Sequence, residues 1–440
     1  MPKTTGRRDS EKYLVARLAK KIPSIGSFGT RAVRLGIGDD SAVLRPSAKS
    51  EFVVTCDFSL EGVHFRDATH PAASIGYRCL ARATSDIAAM GARPRYFLLA
   101  LALPSSRTAK WLDSFASGLG RAARELGLLL IGGDITVSPS ITICVTIIGE
   151  LPVGQAISRS GARPGDLIYV TGTLGAAQLG LELLLGGLSH LANRTPQSAG
   201  SAAPKGTSFR GTSSREARWA QYRNPQTPIG SGRQAPELQA LLQPHLYPRI
   251  PIAFAQALSR RSIPSAMMDI SDGLSTDLAR VCESSRAGAR FFADKLPLVD
   301  IPPAITHDFL DYHPERSEES AFTRHKATAQ QLQNSHPHSA RLEERHTTIH
   351  CHPERSEGSA FRLFDPLQLA LHGGEDYALL FTVPPKRVPL LRSIAAKTKT
   401  RITYIGEITR SRKILLIDSS GRSTPLEPHG WNPFATKDRE

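Results

Sequence analysis

The chain of 440 residues lacks the marks of several protein classes. No apolar run approaches the roughly 18 residues that span a bilayer, so no membrane partner is expected. The basic stretch 1–21 has no apolar centre and does not read as a signal peptide. Cys56, Cys79, Cys144, Cys282 and Cys351 are scattered without a C-x-x-C pair. That spacing argues against a disulfide framework or a structural zinc site and fits a cytoplasmic location. There is no G-x-x-x-x-G-K-[ST], no H-R-D and no D-F-G, which excludes P-loop and protein-kinase phosphate sites. Aromatic residues make up only 6% of the chain, and in the basic stretch 189–235 only Phe209, Trp219 and Tyr222 accompany the basic residues. Nucleic acid is therefore not an expected partner despite the formal charge of +15. A hydrophobic content of 40% is low for this length and implies segments outside any core.

Two such segments stand out. Residues 189–235 are rich in Ser, Gly, Pro, Arg and Gln, with seven Arg or Lys against one Glu. Residues 307–362 carry a repeat, His313–Phe322, which returns as His352–Phe361 with Gly358 as its one change. Two copies separated by polar sequence cannot stack into a solenoid, and the histidines lack ligand spacing. Both stretches read as low-complexity loop insertions without function. Elsewhere strands and helices alternate. Helices are expected over 10–22, 72–90, 108–126, 174–185 and 272–284. Strands are expected over 52–56, 96–103, 128–131, 141–148, 167–170 and 266–270. The pattern is α/β, with a first domain over 1–150 and a second over 151–440.

What the sequence has in abundance is acids beside glycines or at strand ends. Gly36-Ile37-Gly38-Asp39-Asp40 places two carboxylates after a flexible turn. Asp57 is read as ending a strand, Asp86 lies on a helix, and Gly132-Gly133-Asp134 is read as following a strand that ends at Ile131. Met268-Asp269-Ile270-Ser271-Asp272-Gly273 and Gly373-Gly374-Glu375-Asp376 complete the set. Singly, each is explained by a turn or a helix cap. Together they point to phosphate chemistry. Carboxylates are hard oxygen ligands suited to Mg2+, and glycines let backbone N–H groups approach phosphate. A carboxylate repels phosphate directly, so a site built from Asp and Gly has to bind phosphate through metal ions.

The segments GIGDDSAVL, CDFSLEGVHF, ATSDIAAMGARPRYFLLALALP, IGGDIT, SRSGARPGD, YVTGTLGAA, MDISDGLSTDL, HGGEDYALLFTV and IGEIT occur in this order and cover nearly all of the chain outside the two insertions. They resemble the thiamine-monophosphate kinases, of the superfamily shared with aminoimidazole ribonucleotide synthetase and selenophosphate synthetase. The resemblance implies a two-domain α/β fold of the aminoimidazole ribonucleotide synthetase-like type, paired as a homodimer through the first domain, with ATP near that interface. It implies direct in-line transfer from ATP to thiamine phosphate, assisted by several Mg2+ ions and needing no catalytic general base. By resemblance Asp40, Thr55, Cys56, Asp57, Asp86, Asp134, Asp269 and Asp272 serve the metal ions. Gly133, Asp134, Arg159 and Ser271 would contact ATP, and His64, Glu375 and Trp431 the thiamine phosphate.

Cys56 departs from the family, which usually has Thr or Ser there. A soft thiol would weaken a Mg2+ site if its side chain, rather than its carbonyl, were the ligand. Two other readings stand beside the kinase: another ATP-dependent synthetase of the superfamily, and a non-catalytic nucleotide-binding relative.

Overall fold

The computed structural model describes residues 11–24, 32–37, 41–185, 235–302 and 365–430. Asp40, Trp431, almost all of the first insertion and all of the second lie outside these residues. The one overlap is Ala235, taken above as the end of the first insertion, which instead begins a helix.

Two sheets organise the chain. The first has four strands, β3 (Ser50–Leu60), β6 (Thr142–Pro152), β4 (Arg93–Leu103) and β5 (Leu129–Val137), in that spatial order. Only the β4–β5 pair is parallel. A short antiparallel pair, β1 (Val33–Leu35) and β2 (Val43–Leu44), precedes them. One face of the four-stranded sheet is covered by α2 (Ala72–Ala89) and α3 (Lys110–Leu126), whose apolar residues form one core with Ile143, Val145 and Ile147. The amphipathic α1 (Glu11–Lys21) adds Leu14 and Leu18, with Ile22 just beyond it, from the single face that their spacing predicts.

The second sheet has seven strands in the order β13-β12-β9-β11-β7-β10-β8. These are β7 (Leu167–Thr171), β8 (Ala266–Ile270), β9 (Gly288–Phe292), β10 (Ala378–Val383), β11 (Ile402–Thr409), β12 (Ile414–Ile417) and β13 (Ser423–Pro425). Every residue of β8 and β10 is buried, as expected for strands covered on both faces. Between β7 and β8 come α4 (Ala176–Leu185), α5 (Ala235–Leu246) and α6 (Ile252–Arg260); α7 (Leu274–Ser285) follows β8. Flanking β10 are α8 (Pro366–His372) and α9 (Val388–Lys397). Residues of α7 and α8 join one apolar cluster of this sheet, and those of α6 and α9 another.

Helix α2 joins the two halves. Its body packs in the core of the first sheet, while Ala88 and Ala89 belong to a cluster with Phe254, Tyr169 and Phe381 of the second.

Two strand readings need correction. Asp57 does not end a strand, because β3 continues to Leu60 in unbroken register with β6. Gly132, Gly133 and Asp134 do not follow a strand but lie inside β5. Pairing across the sheet, which no local window contains, carries both strands further than their apolar runs.

Candidate active site

Alternation along β3 turns Thr55, Asp57 and Ser59 towards α2 and leaves Phe52, Val54, Cys56 and Phe58 on the open face. Thr55 Oγ1 donates to Asp86 Oδ2 at 2.6 Å. The neighbour of Asp86 on α2, Ser85, donates to Asp269 Oδ2 at the end of β8. Acids from both halves of the chain thus meet at one seam. Burial, above all, raises the Asp57 carboxyl, helped by Asp86 and Asp272 and opposed by Arg82. Asp269 is pushed up to about 7 by burial and by Asp86.

The loop after β8 is held from below. The fully buried Asp277 accepts from Ser271 N and Asp272 N at 3.0 Å each, while Arg280 bridges Asp272 and Asp277. Gly374 crosses this loop so closely that a Cβ there would lie 2.3 Å from Ser271 O. Two of the sequence motifs are therefore packed backbone to backbone. Asp376, partly buried, accepts from Gly175 N and Ala177 N at the start of α4. Asp277 and Asp376 are structural acids that organise loops.

The other side of the seam holds His64 and Glu375. Leu60 N donates to His64 Nδ1 at 3.0 Å, which leaves the His64 proton on Nε2. Burial, then Arg82 and Arg78, lower the His64 pKa to about 4, so the ring is neutral at pH 7. Arg78 ties the two residues together: Nη1 donates to His64 O at 2.6 Å, and Nη2 pairs with Glu375. Glu375 also faces His245 Nδ1 at 3.4 Å, and His245 Nε2 meets His70 Nε2 at 3.0 Å. Glu375 holds a left-handed backbone at φ 70°, anchored by its N–H to Ser271 O.

Not every expected residue joins this cluster. Asp134 on β5 and Arg159 are exposed, and Asp134 joins the structure through its backbone, in the ladder with Ala100 of β4. Gly133 lies where a Cβ would approach Leu99 O to 2.0 Å, so β4 and β5 require glycine there. The Cys56 thiol points away from Asp57 and sits 3.3 Å from Cys144 Sγ, accepting from Thr146 Oγ1. Any role of Cys56 beside Asp57 belongs to its backbone. Sequence reasoning missed Arg78 and Arg82. Their spacing with Asp86, four residues each, puts the three charged residues of this helix on one stripe and was available as a signal.

Among the described residues no three acid, histidine or cysteine side chains converge into a ready metal centre. The donor chemistry nevertheless fits a hard divalent cation. Carboxylates and a hydroxyl gather where burial and like charge both raise Asp57 and Asp269, and a cation among them offsets both effects.

This arrangement, two sheets meeting over an acidic seam, defines the class. The family description "AIR synthase related protein, N-terminal domain" matches residues 38–151. Within that class, the chain is 31% identical over 404 residues to the thiamine-monophosphate kinase of Escherichia coli K12, covering 92% of this chain and 93% of the relative. The chain belongs to the thiamine-monophosphate kinase family. The crystal structure of the enzyme from Stenotrophomonas maltophilia K279a is 27% identical with a TM-score of 0.61, covering 93% and 96% of the two chains. A further structure, AaThiL complexed with AMPPCP and TMP, is 24% identical with a TM-score of 0.57, covering 96% and 97%, and shares the fold.

Proposed function

We propose that this protein transfers the γ-phosphoryl group of ATP to the phosphate of thiamine phosphate, forming thiamine diphosphate. The observation that carries the reading is the seam itself. Acids from β3, α2 and β8 lie on one side, and the paired His64 and Glu375 on the other, in a chain of this family. ATP is placed at the acids with Gly133, Asp134, Arg159 and Ser271. Thiamine phosphate is placed at His64 and Glu375, with Trp431 contributing an aromatic face.

The acceptor is already an anion, so no group has to remove a proton from it. The obstacle is repulsion. Two phosphoryl groups of about −2 each, roughly 5 Å apart at an effective dielectric of about 20, repel by about 13 kcal/mol. His64, neutral and carrying its proton on Nε2, donates a hydrogen bond without needing protonation. Arg78 fixes both His64 and Glu375, so acceptor orientation is set before binding. Mg2+ ions held by Asp40, Asp57, Asp86, Asp134, Asp269 and Asp272, with Thr55 and the Cys56 carbonyl alongside, would supply the charge neutralisation that phosphoryl transfer needs.

We read the chain as two domains, 1–150 and 151–440, in a cytoplasmic homodimer. Support for the dimer is the open face of the first sheet, where Phe52, Val54 and Phe58 of β3 are exposed. No described helix is long and apolar enough to cross a membrane.

The test is turnover with ATP and Mg2+ on thiamine phosphate against free thiamine. Thiamine diphosphate should form from the first, and free thiamine, whose hydroxyl needs a base, should be a poor acceptor. Equal rates on the two would overturn the reading.

A further inference from the structure

Helix α2 is buried nearly all round. Between Ala72 and Ala89 only Ala72, Ala73, Arg82 and Asp86 fall short of full burial, and the last two are one turn apart. The helix therefore opens to solvent at the seam through one cation and one acid. Asp86 is held by Thr55. Arg82 is not held in this way. Its guanidinium forms no hydrogen bond with a described residue, and its one ion-pair contact, Nε to Asp57 Oδ2, is 3.9 Å, beyond hydrogen-bond range. None of its nitrogens is both sealed from solvent and unpartnered, so its donors reach the opening. The neighbouring arginines differ: Arg78 is engaged by His64 O and Glu375, and Arg280 by Asp272 and Asp277.

The place of Arg82 matters as much as its freedom. It shares with His64 and Arg78 the lining of a small cavity of about 10 Å³. Asp57 approaches it from the acid side. Burial opposes its charge, but Tyr377, Asp57, Glu375 and Asp272 more than offset this and keep it protonated. It thus stands between the acids and the proposed thiamine phosphate contacts, where the two phosphates have to meet. A guanidinium offers five donors in a planar fork that matches phosphate oxygens.

We propose that Arg82 receives the phosphate of the acceptor, donating hydrogen bonds to the phosphate oxygens of thiamine phosphate between the acid cluster and His64. This rests on the proposed transfer to thiamine phosphate and names the residue that recognises its phosphate. Free thiamine would leave the guanidinium without its oxyanion, and a site built to hydrogen-bond a substrate group discriminates against the analogue that lacks it.

The test uses the full chain, with steady-state kinetics in ATP and Mg2+ and equilibrium titration with thiamine phosphate and with thiamine in the absence of ATP. Arg82→Gln should raise KM for thiamine phosphate about tenfold or more, the size expected for hydrogen bonds to a charged group. KM for ATP should stay within about twofold, and the binding preference for thiamine phosphate over thiamine should collapse. Arg82→Lys, which keeps the charge and loses the fork, should fall between. An unchanged KM for thiamine phosphate with a shifted Mg2+ requirement would make Arg82 a counter-ion of Asp57 and overturn the proposal. If Arg82→Gln does not fold, Arg82→Lys decides, and a wild-type KM for thiamine phosphate in that variant overturns it equally. The wild-type control separates the two layers: no turnover of thiamine phosphate by the wild-type chain overturns the functional reading beneath this one.

Discussion

Cys56 and Asp57 are adjacent in sequence and face opposite sides of β3, so their fates on substitution should differ. Cys56→Thr is expected to leave kcat and KM unchanged, since the thiol reaches Cys144 and not the acids. A large loss of activity would give the thiol a role at the seam that its direction denies. Asp57→Asn, Asp86→Asn and Asp134→Asn should each cut turnover heavily while the protein stays folded. For Asp57 the melting temperature should hold or rise. Its carboxyl is raised by burial and by like charges, so an amide removes a crowded charge rather than a satisfied one. Unfolding of all three variants in circular dichroism would mark the acids as structural.

At the level of elements, the seam depends on two close approaches. Gly374→Ala would drive a methyl group to 2.3 Å from Ser271 O, in a loop already anchored by Glu375 N and Tyr377 N to Ser271 O and Ile270 O. A loss of about 1–3 kcal/mol in urea unfolding is expected, the size typical of overpacking, together with loss of activity from displacement of Glu375. The second approach is the contact of His70, ahead of α2, with His245 on α5. Burial leads in lowering both, His70 to about 4 and His245 well below its ordinary value, so both are neutral in the fold. The unfolded chain takes up protons near pH 6.5 while the folded pair does not. The stability they contribute is therefore complete above about pH 6.5 and is lost as pH falls towards about 4. Asp269, Asp277 and Asp376, raised to about 7, 6 and 7, act in the opposite direction, so the histidine part must be read as a difference. The stability gap between wild type and His70→Gln/His245→Gln should shrink between pH 7 and pH 5, the His70 ring alone accounting for about 1–2 kcal/mol. A gap independent of pH would remove the pair from the pH response.

For the whole molecule, the open sheet face and the insertions each make a prediction. Phe52, Val54 and Phe58 alternate on β3 with the inward-facing Thr55, Asp57 and Ser59, so one strand serves the site and an exposed apolar surface at once. Val54→Glu/Phe58→Glu should convert a dimer to monomer in sedimentation velocity; a wild-type chain that is monomeric at micromolar concentration would refute the homodimer. The two insertions leave and rejoin the fold at a single apolar cluster. Leu179 and Leu183 of α4 pack with Leu238, Leu242 and Leu246 of α5, and Val299 and Ile301 pack with Leu369 of α8 in the same group. The core is closed on both sides of each departure. Replacing 189–235 and 307–362 by short Gly/Ser linkers should then keep activity, because loop closure changes by only about 0.6 kcal/mol per doubling of length. A folded double deletion without activity would make the insertions part of the site.

Local sequence determined a good deal here. The 3.6-residue period placed five helices, each within two residues of its observed ends, but not α5, α6, α8 or α9, and a buried run gave β8 in full. Acids beside glycines pointed to phosphate and metal chemistry, because those residue types carry that chemistry wherever they sit. Tertiary structure decided which of the acids share a site. Asp277 and Asp376 belong to the same motifs as Asp272 and Glu375, yet they are turned into the loops as backbone anchors. Ser85 meets Asp269 across 184 residues, and His70 meets His245 across 175. The meaning of Arg82 was hidden for the same reason. Its spacing with Asp86 is local, but its lack of a hydrogen-bonding partner depends on the β8 loop and the Glu375 turn packing against α2. A period fixes the direction of a side chain along its own element; what it meets there is set by the burial of surfaces distant in sequence.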